Sequence, residues 1–131
     1  MQLESVGNED FKKRIRESTN MAKVHNYYGM VEQTGSIFME CEYGYLHASS
    51  FSEIVIRDPI TFKPKRSNEK GLIQLLSVIP KSYPGHSILS EDVGEYLGID
   101  DCQCRRHGKY FKVQGRLKNA EIRGCSDTHS P

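Results

Sequence analysis

The sequence predicts an α+β protein, with one amino-terminal helix followed by a mostly antiparallel sheet or small open barrel. Three observations carry that expectation. The chain opens on a charged segment with sparse apolar residues, continues as short runs rich in aromatic and β-branched residues, and separates those runs with turn residues. Its 131 residues are one domain's worth, and folding at that size buries roughly two thirds of the surface of the unfolded chain. One modest core is therefore expected.

The helix is expected at about residues 9 to 20, where Phe11, Ile15 and Met21 are the apolar positions and Asp10 sits in the first turn. A β-rich segment follows, from about 24 to 125. Strands are expected at 36–40, 43–47, 53–57, 72–78, 93–97, 110–113 and 121–123, each a short run suited to a half-buried pleat. The turn signals between them are Asp58-Pro59, the polar run 63–71, Tyr83-Pro84-Gly85-His86 and the stretch 98–101. Residues 126–131 read as a frayed tail.

Composition argues against several classes of function. Eighteen basic and seventeen acidic residues give a net charge of +1, without the electrostatic footprint that nucleic acid or an anionic membrane requires. The amino terminus is polar, and Gln74 and Ser77 interrupt the longest apolar stretch, so no targeting or membrane-spanning segment is expected. Four cysteines without an export signal point to a reducing cytoplasm, where thiols serve metal binding, catalysis or plain burial. There is no GxxxxGK[ST] phosphate loop.

Two groups of residues could carry chemistry. Cys41 and His47 face each other across an expected hairpin, while Cys102 and Cys104 form a Cys-x-Cys turn beside Asp100, Asp101 and Gly108. Together they make a Cys3His set, one of the usual closed tetrahedral zinc sets. The same residues also read as buried thiols and a surface histidine. In Tyr27-Tyr28-Gly29-Met30-Val31-Glu32, an aromatic ring that could stack on a base lies close to a carboxylate that could hold magnesium against phosphates. That segment also reads as a loop glycine between core tyrosines. Glu91-Asp92 and Gly115-Arg116 are, in isolation, a solvated acidic pair and a turn with a surface arginine.

Taken in order, Tyr28-Gly29 with Glu32, then Ser90-Glu91-Asp92, then Gly115-Arg116 resemble the adenylate-forming enzymes. These carry an aromatic-Gly-x-x-Glu motif, a later aspartate and a hinge Gly-Arg. Within that superfamily, the wording of 28–33, 56–59, 82–87 and 121–125 is similar to the acyl-protein synthetases, including the synthetase component of the bacterial bioluminescence fatty-acid reductase. The phenylacetate–coenzyme A ligases come next and share a metal set spaced like Cys41, His47, Cys102 and Cys104. The similarity covers about residues 24 to 128.

The resemblance implies an ATP-dependent ligase that activates a carboxylic (fatty) acid as acyl-AMP and passes the acyl group to a thiol of a protein or of coenzyme A. It implies that Tyr28 and Gly29 line the adenine, Glu32 holds magnesium, Asp92 receives the ribose hydroxyls and Arg116 contacts ribose or phosphate. The catalytic residues would be Glu32, Arg116 and Cys125, the last being the acylated cysteine near the carboxyl end. Zinc would be structural. Val31 and Glu91 depart from the family pattern, which has a hydroxyl residue and a glycine there. The family's phosphate loop, acyl pocket, most of its parallel sheet and its lid have no counterpart here. The resemblance therefore implies a single-domain, carboxyl-terminal fragment, inactive alone, whose exposed apolar surface leaves self-association open. The alternative of a different class is a zinc-stabilised interaction module without catalysis.

Overall fold

A computed structural model describes residues 7–117. The strand expected at 121–123, the tail at 126–131 and Cys125 lie outside the described residues.

Helix α1 spans Asn8–Thr19, with Glu9 and Asp10 at its positive end and Arg16 in its last turn. Asn20 ends it in a left-handed conformation, with φ of 56°. The face it buries is not the apolar one: Phe11 is 48% exposed, whereas Lys12 is the buried residue. The cause is a carboxylate partner. Lys12 Nζ lies 2.6 Å from Glu40 Oε2, and the same oxygen accepts the Asn26 N–H at 2.8 Å. Asn8 Nδ2 donates to the other Glu40 oxygen at 3.3 Å. A lysine enters the interior only when such partners replace water.

Seven strands follow: β1 (Tyr27–Tyr28), β2 (Phe38–Glu40), β3 (Leu46–His47), β4 (Ser52–Arg57), β5 (Gly71–Ser77), β6 (Ser87–Ile99) and β7 (Lys109–Arg116). They form one antiparallel sheet in the order β1-β2-β3-β7-β6-β5-β4, curled into a half-barrel. Thus β1 to β3 make one meander and β4 to β7 another, joined where β3 pairs with β7. Alternation along β4 sends Ile54 and Ile56 inward. There they meet Ile73 and Leu75 of β5, Phe38 of β2 and Phe111 of β7, all fully buried. Each such side chain contributes about 1.5–3 kcal/mol of hydrophobic stabilisation. Phe38 and Phe111 pack edge-on, with ring centroids 5.4 Å apart.

Curling the sheet requires close approaches. A Cβ at Gly94 would lie 2.5 Å from the Lys112 carbonyl oxygen and 2.7 Å from Ile73 Cδ1, and the β6–β7 register shifts between Val93 and Gly94. The free edge of β4 is covered rather than left as a template for another strand. Lys109 Nζ donates to the Ile54 carbonyl at 2.9 Å, and the Lys65 N–H reaches the Ile56 carbonyl at 2.8 Å.

Four expected strands change in extent: those at 36–40 and 43–47 shorten to Phe38–Glu40 and Leu46–His47. The strand expected at 93–97 is 13 residues long and begins at Ser87, and the one expected at 110–113 runs on to Arg116. The Gly115-Arg116 pair, expected in a turn or hinge, therefore lies at a strand end, with Gly115 opposite Val93 and Arg116 opposite Asp92. Tyr27 and Tyr28, outside the expected strands, form the edge strand β1. Among the described residues no helix is long and apolar enough to cross a membrane.

Candidate metal centre and nucleotide-binding residues

The β3–β7 pairing sets Leu46 against Phe111 and His47 against Tyr110. It thereby brings the β2–β3 and β6–β7 loops to the same end of the half-barrel. In the first loop the Cys41 N–H bonds the Tyr45 carbonyl at 2.8 Å, the Gly44 N–H bonds the Cys41 carbonyl at 3.0 Å, and Gly44 takes a φ of 78°. In the second, left-handed Asp100, Arg105 and Gly108 fold the chain back. The Asp100 and Gly108 backbones bond at 3.1 Å, and the Arg105 N–H bonds the Cys102 carbonyl at 2.9 Å. The Asp100 carboxylate also accepts the Gly108 N–H at 2.6 Å.

These loops deliver Cys41, His47, Cys102 and Cys104 to one point, where their ligand atoms all lie within 4.8 Å of one another. Cys104 Sγ is 3.3 Å from His47 Nε2. A tetrahedral zinc ion with bonds of about 2.0–2.3 Å would space its donors about 3.5 Å apart, so the set fits a metal of that kind. His47 is buried, not at the surface. Its ring stacks on Tyr110 with centroids 5.9 Å apart.

The electrostatics suit ligation. Burial, and then Arg106, lower the His47 pKa below 6.5, favouring the neutral imidazole that binds metal. Its Nδ1 is buried without a hydrogen-bond partner among the described residues. Burial pushes the Cys102 thiol up to about 11, whereas a bound cation would favour its thiolate. Burial alone would also raise Cys104. Hydrogen bonds from the Arg106 N–H and from the Cys102 and Cys41 thiols outweigh it and lower that group.

The second cluster lies where β1, β6 and β7 meet. Tyr28 Oη donates to Asp92 Oδ2 at 2.6 Å. Arg116 Nε is 3.4 Å from Asp92 Oδ1, and Arg116 Nη2 is 3.7 Å from Glu91 Oε2. The Tyr28 ring is half-buried, with its centroid 6.0 Å from Phe38 and 6.2 Å from Phe111. Burial, then the Asp92 bond, raise the phenol pKa well above its ordinary range, so it stays a donor.

Three of the sequence-derived residues, Tyr28, Asp92 and Arg116, therefore converge. Glu32 does not join them. It lies exposed in the 3-10 turn Val31–Gln33, and its side chain makes no hydrogen bond or ion pair among the described residues. Gly29 sits between, and a Cβ there would lie 3.2 Å from the Ser36 carbonyl oxygen.

Two residues that the sequence reading quoted only as part of longer motifs, without a role of their own, shape the site. Ser90 is buried, donates to the Ile73 carbonyl at 2.7 Å and accepts the Asp92 N–H at 3.2 Å, which fixes the backbone of the aspartate. Gln33 is fully buried, and its Nε2 donates to the carbonyls of Gly85 at 2.8 Å and Leu75 at 3.3 Å. It thereby holds the turn that carries Glu32. A small polar residue two before Asp92 on the same strand face was the available signal for Ser90. Nothing in the local sequence marks Gln33.

The family model described as acyl-protein synthetase, LuxE, matches residues 1–131. No curated protein matches the chain.

Proposed function

The chain belongs to the LuxE family of acyl-protein synthetases, and from that premise we propose that it carries the carboxyl-terminal part of an adenylate-forming site. In the proposed reaction a fatty-acid carboxylate oxygen attacks the α-phosphorus of ATP. The new P–O bond forms as the bond to pyrophosphate breaks, giving acyl-AMP. A thiolate then attacks the acyl carbon, and AMP leaves with the oxygen it gained. The likeness to phenylacetate–coenzyme A ligases keeps coenzyme A as a second acceptor.

The observation that supports this reading is the convergence of Asp92 and Arg116, on the paired strands β6 and β7, with Tyr28 of the edge strand β1. An aspartate is suited to a ribose diol and a guanidinium to a phosphate oxygen. In this reading Tyr28 and Gly29 line the adenine and Glu32 holds the magnesium ion. The exposed, unpartnered carboxylate of Glu32 is suited to a hydrated cation. Cys125, two residues after Arg123 in the sequence, is the acyl acceptor, attacking as its thiolate.

Cys41, His47, Cys102 and Cys104 hold a structural zinc in this reading, and bound there it cross-links the two hairpin loops. The completeness of that set also suits a zinc-stabilised interaction module without catalysis. The two readings part in one experiment. In a full-length relative containing this segment, Asp92→Ala and Glu32→Ala should each slow ATP–pyrophosphate exchange about tenfold or more. Wild-type exchange in both variants would defeat the assignment of Asp92 and Glu32 to the nucleotide site, as the module reading expects.

A further inference from the structure

Asp92 is held from an unusual distance. Its phenolic partner belongs to β1, at the edge of the sheet, whereas Asp92 lies in β6 beyond β2, β3 and β7. The half-barrel's curl closes that gap, and the Tyr28 ring reaches its position by packing tilted on Phe38 and edge-on to Phe111. Both phenylalanines are fully buried, so the aromatic trio fixes where the phenol points. Ser90 fixes the aspartate's backbone from the other side.

We propose that Tyr28 is a positioning residue whose hydroxyl orients the Asp92 carboxylate for a vicinal diol. The inference rests on the ribose-binding reading of Asp92 given above. A carboxylate accepts about four hydrogen bonds. Tyr28 donates to Oδ2 at 2.6 Å, and the Arg116 guanidinium is ion-paired with Oδ1 at 3.4 Å. Acceptor positions of the carboxylate beyond the Tyr28 bond suit the two hydroxyls of a cis-diol. The Asp92 side chain is 19% exposed, so those positions are reachable. Without the phenol the carboxylate can rotate, and the pair of positions facing the diol is no longer set in advance. This role belongs to the hydroxyl. Adenine lining belongs to the ring.

That separation defines the test. Titration calorimetry of the full chain with AMP and 3′-deoxy-AMP compares wild type with Tyr28→Phe, Asp92→Asn and the double variant. Tyr28→Phe keeps the ring, and an unchanged thermal midpoint would show that the aromatic packing is intact. We expect wild type to prefer AMP, and Tyr28→Phe to bind AMP about fivefold more weakly, the scale of one hydrogen bond. Its affinity for 3′-deoxy-AMP should change less, so the preference shrinks. Adding Tyr28→Phe to Asp92→Asn should cost nothing more, because both act through one carboxylate. A Tyr28→Phe protein with wild-type AMP affinity and preference would overturn the positioning role alone. A wild-type chain indifferent to the missing hydroxyl would overturn the diol reading of Asp92, and the inference with it.

Discussion

At the scale of single residues, the chain places ionised groups where its sequence suggested apolar ones. Lys12 and Glu40 are both buried, with side chains 7% and 3% exposed. Removing one partner of such a pair leaves the other's charge without compensation, which costs about 3 kcal/mol. Lys12→Met should therefore lower stability by about that amount in chemical denaturation. An unchanged midpoint would show that the Asn26 N–H and the Asn8 amide suffice for Glu40. The pair also predicts a pH dependence. Burial opposes ionisation of Glu40, but the Asn26 N–H and Lys12 outweigh it and hold the carboxyl below its ordinary 4.5. The unfolded chain consequently takes up that proton first on acidification. Stabilisation by Glu40 is full above about pH 4.5 and is lost as pH falls through the lower folded value. In Lys12→Met this acid-dependent loss should shrink, as denaturation curves between pH 3 and 6 would reveal.

At the scale of elements, what was legible in the sequence was what burial alternation writes there. β4 and β5 read correctly because Ile54, Ile56, Ile73 and Leu75 are apolar and point inward. The first half of β6 was illegible for the opposite reason: its inward residue is Ser90, bonded to the Ile73 carbonyl, while Leu89 is 43% exposed. The helix was placed within a residue at each end, yet its face was not, since a lysine drawn inward by Glu40 leaves no hydropathy signal. The metal set was legible as Cys-x-Cys plus Cys and His, but its closure depends on the β3–β7 pairing, a contact between distant segments. Gln33 belongs to the same class of long-range facts. Its amide joins the 3-10 turn to β5 and to the loop before β6, so Gln33→Leu should leave two carbonyls without their donor at about 2 kcal/mol. The residue next to it, Glu32, should then be held less firmly. Amide hydrogen exchange checks this: faster exchange at Thr34 and Ser36 is expected, and unchanged protection would mean that the turn is held by its backbone bonds alone.

At the scale of the whole molecule, the question is what keeps a half-barrel closed around so small a core. Its fully buried apolar side chains are few, and α1 adds a polar contact to the sheet rather than an apolar one. The two meanders touch through β3 and β7 over a short register, Leu46 with Phe111 and His47 with Tyr110, immediately beside the Cys3His cluster. A metal ion ligated there would tie the loops of both meanders together at their junction. A ligand that binds the folded chain in preference to the unfolded one also adds its binding free energy to stability. Zinc removal should therefore destabilise the molecule as a unit, not merely loosen a loop. We expect purified protein to contain one zinc per chain by elemental analysis. Chelation, or Cys102→Ala, should lower the thermal midpoint by about 10 °C, corresponding to about 3 kcal/mol in a domain of this size. The two losses should not add, since each removes the same cross-link. A metal-free protein that melts where the untreated one does would mean that the packing of Phe38, Phe111 and Tyr28 holds the meanders together unaided, and that the four ligands are a site without a structural role.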